Sequence, residues 1–262
     1  MTVGGTTIAG LATTRVGFGT SRLHYARDAA GRERVLCAAY EAGIRHFDTA
    51  PVYGHGLAER ALGAFAASRR DCIVVAKHGI SASPWIGALP GPLVRPALLA
   101  RAAANRARGG SRPLWLTPAT LRRSVEASLR RLRREVIDVH LLHEPDPSAM
   151  ADPAAVFGAY EAMIAEGKIR AAGVSGAYAP ALELLGHAPP SFVLQTGEDE
   201  WTEARVPDVT YGAVSRAPQS RRQANVGEAD ARARLRMALD RRSHGVVLVS
   251  TTRPAHLRGL LS

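Results

Sequence analysis

Eight short apolar, β-branched runs recur along this 262-residue chain, set apart by longer amphipathic runs. The pattern predicts strands over residues 15–20, 46–50, 72–78, 136–143, 171–176, 192–196, 209–215 and 245–251. It predicts helices over 31–42, 57–67, 118–132, 153–165, 180–185, 229–241 and 254–261. Strands that alternate with helices pair in parallel through right-handed crossovers. Eight such units favour closure into a single-domain α/β (β/α)8 TIM barrel over residues 1–262. The capping chemistry agrees. Thr117-Pro118 and Asp152-Pro153 suit helix starts, and Gly43 and Gly167 suit left-handed helix ends. The polar stretch after Gln195 predicts an abbreviated sixth helix. Residues 1–13 are expected to cap the barrel floor. Val16-Gly17-Phe18-Gly19-Thr20 stops short of Gly-x-Gly-x-x-Gly, which counts against a Rossmann domain.

Composition narrows the class further. The net charge of +11 comes mostly from arginine, since lysine occurs only at Lys77 and Lys168. The arginines alternate with Ala, Leu and Glu at helical spacing rather than with aromatics. They read as solvated helix faces, so neither nucleic acid nor membrane is an expected partner. No apolar run reaches bilayer-spanning length, and the start has no signal-peptide pattern. Cys37 and Cys72 read as reduced thiols with no metal spacing. The expectation is a cytoplasmic protein, a monomer or weak homo-oligomer, with no metal. Segment 79–116 is the longest strand-to-helix connection, a rim loop expected to cover the site, with Trp85 shaping it and 94–108 partly helical.

Three predicted strands end in chemistry. Asp48 closes one and Tyr53 follows in the loop; Lys77 and His143 stand at the ends of two others. Each alone has an ordinary structural reading, and His46, His78 and His140 read as core histidines. Together they form a set. A lysine lowers a neighbouring tyrosine's pKa, so Tyr53 beside Lys77 is expected to act as a proton donor near neutral pH. Asp48 supplies the counter-charge that a buried lysine needs. His143 can orient a substrate oxygen. None of the four can give hydride, so a cofactor must.

These residues resemble the aldo-keto reductases. Asp48-Thr49-Ala50-Pro51-Val52-Tyr53-Gly54 with Leu57-Ala58-Glu59 is similar to the family's first signature. Leu129-Arg130-Arg131-Leu132 through Ile137-Asp138-Val139-His140-Leu141-Leu142-His143-Glu144-Pro145 is similar to the second. Gly167-Lys168-Ile169-Arg170-Ala171-Ala172-Gly173-Val174-Ser175 is similar to the family's entry into strand five. The resemblance implies a nicotinamide cofactor, usually NADPH, and reduction of an aldehyde or ketone to an alcohol. It makes Tyr53 the proton donor, Lys77 and Asp48 its tuning partners, and His143 the orienting histidine. It gives Ser175 and Gln195 to the carboxamide and Tyr211 to stacking on the nicotinamide. Ser250, Thr251, Thr252 and Arg253 open the last predicted helix, where amides and hydroxyls suit a phosphate. Arg253 matches the position that meets the 2′-phosphate, favouring NADPH over NADH.

The chain also departs from the family. Gly176 replaces an Asn, His256 an arginine and Leu260 an amide, changes expected to weaken cofactor binding. The chain reads as a short member that stops at Ser262 without the usual C-terminal loop. With a short 216–227 connection, this predicts a more open site. Glu198-Asp199-Glu200-Trp201 is expected at the same rim as a solvated loop, the alternative being that it selects a cationic or polyhydroxylated substrate; Trp201 is assigned to the substrate pocket. Two other functions stay open: an NADP(H)-binding regulatory or sensor barrel with little turnover, and a nucleic-acid-binding protein driven by charge.

Overall fold

A computed structural model describes residues 3–83, 85–107, 114–150, 152–214 and 227–262. Two short strands come first, β1 (Gly5–Ile8) and β2 (Leu11–Thr14), paired antiparallel. Ala9 and Gly10 turn between them with φ of 46° and 77°, the positive values a two-residue hairpin turn requires. Eight parallel strands then close a barrel: β3 (Val16–Gly19), β4 (His46–Asp48), β5 (Ile73–His78), β6 (Ile137–His143), β7 (Ile169–Ser175), β8 (Val193–Gly197), β9 (Val209–Tyr211) and β10 (Val246–Val249). The pairing of β10 with β3 makes the closure.

The barrel separates two layers of core. Inside it Val75, Val139, Leu141, Val193, Val246 and Leu248 pack with Ile8 of the hairpin. Outside it the strands' other faces bury the inward stripes of the helices. Those helices are α1 (Ala29–Glu41), α2 (Leu57–Ala66), α3 (Gly91–Ala107), α4 (Pro118–Leu132), α5 (Pro153–Ala165), α6 (Tyr178–Leu185), α7 (Glu228–Asp240) and α8 (Pro254–Leu261). The caps are those that the sequence offers. Thr117 accepts from the Thr120 amide at 3.1 Å, and Asp152 from the Ala155 amide at 3.0 Å, each worth about 1 kcal/mol.

The helices are not spread one per crossover. The β5–β6 connection carries both α3 and α4, whereas 198–208 between β8 and β9 forms no helix. The expected sixth helix is replaced by side-chain bonding. The Tyr178 hydroxyl accepts from the Arg205 amide at 3.0 Å and donates to the Arg205 carbonyl at 3.0 Å. Arg241 donates to the Glu198 and Trp201 carbonyls. The expected strand 209–215 ends at Tyr211. The polar run at 219–223 and residues 108–113 of the rim segment lie outside the described residues.

Helices α2 and α4 approach closely at Gly63. A Cβ there would stand 2.5 Å from the Leu132 carbonyl oxygen. Beside it the buried Glu59 accepts from Arg131 at 2.6 Å. Gly158 on α5 has open space where a Cβ would go. Gly63→Ala should therefore cost about 1–3 kcal/mol through overpacking, although alanine is the better helix former. Gly158→Ala should gain about 0.5–1 kcal/mol. Denaturant midpoints of the two variants check this, and equal shifts would contradict the close approach.

Candidate active site

Asp48 ends β4 at the carboxyl rim. Backbone bonds from Thr20 N to Asp48 O (2.8 Å) and from Thr49 N to Val75 O (2.8 Å) stitch that strand end to its neighbours. The chain then turns tightly. Tyr53 N donates to Ala50 O at 3.0 Å, and Gly54 takes φ 61°. A Cβ at Gly54 would lie 2.6 Å from that of His24, so glycine is needed there. This turn fixes Tyr53 at the mouth of the barrel. Lys77 on β5 is buried and forms an ion pair with Asp48 Oδ1. Its Nζ lies 5.3 Å from the Tyr53 ring centroid. His143, at the end of β6, meets the Tyr53 ring edge-on, with centroids 5.7 Å apart and planes at 87°.

Gln195 on β8 donates from Nε2 to Asp48 Oδ2 at 3.2 Å. Strands β4 and β8 face each other across the eight-membered barrel, so this bond spans its mouth. Gln195 Oε1 and Ser250 Oγ are buried without a hydrogen-bond partner among the described residues. Both residues line a cleft of about 280 Å³ together with Asp48, Tyr53, His143, Ser175 and Tyr211. A free carboxamide acceptor and a free hydroxyl facing one cleft fit a ligand such as nicotinamide, whose amide can donate to the first.

The electrostatics correct one expectation. Tyr53 is not acidified. Burial pushes its phenol well above the ordinary value, and the Asp48 charge pushes it further. The Lys77 ammonium, expected to lower it, is paired with Asp48. Burial lowers the pKa of Lys77, opposed by Asp48. Burial, then the Lys77 charge, holds His143 well below its usual value. Tyr53 therefore keeps its proton and His143 is neutral, so both can donate a hydrogen bond into the cleft.

The other expected residues are placed unevenly. Arg253 is exposed at the start of α8, where its amide donates to Thr251 Oγ1 at 3.1 Å. Thr251 and Thr252 lie with it, beyond the residues that line the cleft. His256 is exposed, while Leu260 packs into the core rather than facing a ligand. Trp85 is 64% exposed and does not line the cleft. Trp201 does not either: it is 5% exposed and lies under the Arg241 guanidinium at 3.7 Å. Glu198 of the acidic run is buried, bonded to Thr210. Two charged cleft residues were missed by sequence reasoning, Arg22 and Glu144. Glu144 directly follows His143, and that adjacency was the available signal.

The family model described as Aldo/keto reductase family matches residues 15–198. The chain belongs to the aldo/keto reductase family. It is 35% identical over 182 residues to D-threo-aldose 1-dehydrogenase of Pseudomonas sp., covering 66% of this chain and 53% of that protein. It is 30% identical over 189 residues to 6-dehydroglucose reductase of Novosphingobium aromaticivorans, covering 68% and 53%. The chain thus spans about half the length of the curated relatives it matches. Among solved structures, aldo-keto reductase AKR11C1 of Bacillus halodurans in its holo form superposes with a TM-score of 0.75 at 20% identity, over 99% of this chain and 90% of that one. The Klebsiella pneumoniae aldo-keto reductase in complex with NADPH gives 0.68 at 21%, over 98% and 89%. These superpositions establish the (β/α)8 fold. No helix among the described residues is long and apolar enough to cross a membrane.

The buried histidines set an acid limit. Burial holds His46 and His140 neutral with pKa values of about 3, and His78 at about 4. In the unfolded chain each takes up a proton below pH ~6.5. The unfolded state then binds more protons, so stability is full above pH ~6.5 and falls as the pH drops toward 4. The slope reaches up to about 1.4 kcal/mol per pH unit for each histidine. Melting curves from pH 7 to 4.5 should fall steadily, and a flat profile would contradict these assignments.

Proposed function

We propose that this protein is an NADPH-dependent oxidoreductase that reduces an aldehyde or ketone to an alcohol, with Tyr53 as proton donor. The observation that carries the reading is the meeting of Asp48, Tyr53, Lys77 and His143 at one corner of the cleft, tied across the barrel to Gln195. His143, neutral, donates to the substrate carbonyl oxygen and fixes its direction. Tyr53 gives its proton to that oxygen as negative charge develops on it. Lys77, held by Asp48, then stabilises the phenolate left behind, a help absent from the resting state. Proton transfer of this kind is worth roughly 10²–10⁴ in rate.

NADPH, when bound, supplies the hydride. Ser175 and Gln195 Oε1 would hold its carboxamide, with Tyr211 beside them in the same cleft to receive the nicotinamide. Ser250, Thr251, Thr252 and Arg253, at the start of α8, would take the phosphates, with Arg253 for the 2′-phosphate. The names of two relatives, an aldose dehydrogenase and a dehydroglucose reductase, support a polyhydroxylated carbonyl compound as substrate. An NADP(H)-binding sensor with little turnover is separated from this reading by the same assays.

Tyr53→Phe should keep NADPH affinity and lower kcat by about 10²–10⁴. Unchanged turnover would defeat the assignment of Tyr53. Arg253→Ala should weaken NADPH by about ten- to a hundredfold, through loss of a charge-assisted contact, and leave NADH nearly unaffected. Parallel fluorescence titrations read the difference, and equal losses for both cofactors would remove Arg253 from the 2′-phosphate.

A further inference from the structure

A second cavity, of about 150 Å³, opens beside the cleft at the same rim. It lies between the loop after β6 and the first turn of α6. Glu144, Asp146, Gly176, Ala177 and Pro180 line it. Glu144 also lines the cleft that holds Tyr53 and His143, so one carboxylate borders both spaces.

The backbone holds Glu144 there deliberately. Its φ is 46°, a left-handed conformation uncommon for a residue other than glycine. Its amide donates to the Ser175 carbonyl at 2.7 Å, which ties the turn to β7. One carboxylate oxygen accepts from the Tyr211 hydroxyl at a long 3.4 Å. The other faces Gly176, where a Cβ would stand 3.4 Å from Oε2 and 3.6 Å from Pro145 Cδ. A larger residue at 176 would fill this space. The Ala177 amide also donates to the carboxylate. An ionised carboxylate can accept about four hydrogen bonds, so Glu144 keeps capacity beyond Tyr211 and Ala177. A volume near 150 Å³ holds roughly five waters' worth of ligand, at ~30 Å³ each. That is the size of a short hydroxylated tail.

We propose that this cavity is a subsite for the hydroxylated tail of the substrate, in which Glu144 accepts hydrogen bonds from hydroxyls beside the reacting carbonyl. The proposal rests on the carbonyl-reductase reading and adds the residue that selects among carbonyl compounds. A tail of hydroxyls donates to Glu144. Glu144 is exposed to solvent, so an alkyl tail displaces its water without replacing the bonds, and an anionic tail is repelled by Glu144 and Asp146.

The test compares kcat/KM for D-erythrose and butanal, which share four carbons and differ in hydroxyls, with NADPH as cofactor. Wild-type protein should prefer the hydroxylated aldehyde. Glu144→Gln, which keeps the shape and removes the charge, should lower the erythrose-to-butanal ratio about ten- to a hundredfold, mainly through KM for erythrose. Gly176→Val, which fills the cavity and leaves Glu144 in the sequence, should lower the same ratio. Melting curves confirm that each variant is folded. An unchanged ratio in Glu144→Gln overturns the subsite alone. So does a change in NADPH affinity without a change in the ratio, which would give Glu144 to the cofactor. Absence of turnover with both aldehydes in the wild-type protein overturns the reductase reading and the subsite with it.

Discussion

The carboxylate of Asp48 joins the two halves of the barrel mouth. One oxygen pairs with Lys77 on the adjacent strand, and the other accepts from Gln195 on the opposite strand. A lysine as deeply buried as Lys77 keeps its charge only beside such a partner. Removing either member of a buried pair costs about 3–5 kcal/mol, because the survivor is left uncompensated. This pair therefore ties the ends of β4 and β5 together at the rim. It fixes the ammonium near the Tyr53 ring and sets the side-chain amide of Gln195 so that its oxygen is free for a ligand.

The same pair explains the poise of the site before substrate arrives. Asp48 neutralises Lys77 and adds negative charge near Tyr53, so the phenol holds its proton. Burial and Lys77 keep His143 neutral. Two hydrogen-bond donors then face a cleft whose cation is already satisfied. In the proposed mechanism, the phenolate left when Tyr53 gives up its proton competes with Asp48 for Lys77. Glu144 lies on the other side of this corner, bordering both the cleft and the smaller cavity.

Much of this was legible in the sequence because the signals are periodic or local. The eight strands follow from apolar runs that the barrel buries on both faces, and the caps at Thr117 and Asp152 follow from single residues. Asp48, Lys77 and His143 were visible because each stands at a strand end, and the rim collects strand ends. What failed was non-local. The missing helix between β8 and β9 depends on Tyr178 and Arg241 reaching in from other elements. Trp201 read as a pocket residue, yet it lies beneath Arg241, forty residues away in the chain. The acidification of Tyr53 failed because pairing with Asp48 and burial outweigh proximity to Lys77. Glu144 was missed because a left-handed turn, invisible in composition, aims it at the cleft.

Turnover in the double variant Asp48→Asn/Lys77→Met tests the central claim most directly. Removing both charges together avoids an orphaned ion, so the protein should fold, as its melting curve would confirm. The account predicts turnover lowered by orders of magnitude in this folded double variant, because Tyr53 has lost the ammonium that stabilises its phenolate. Wild-type turnover there would contradict it, and would reduce the buried pair to a structural feature.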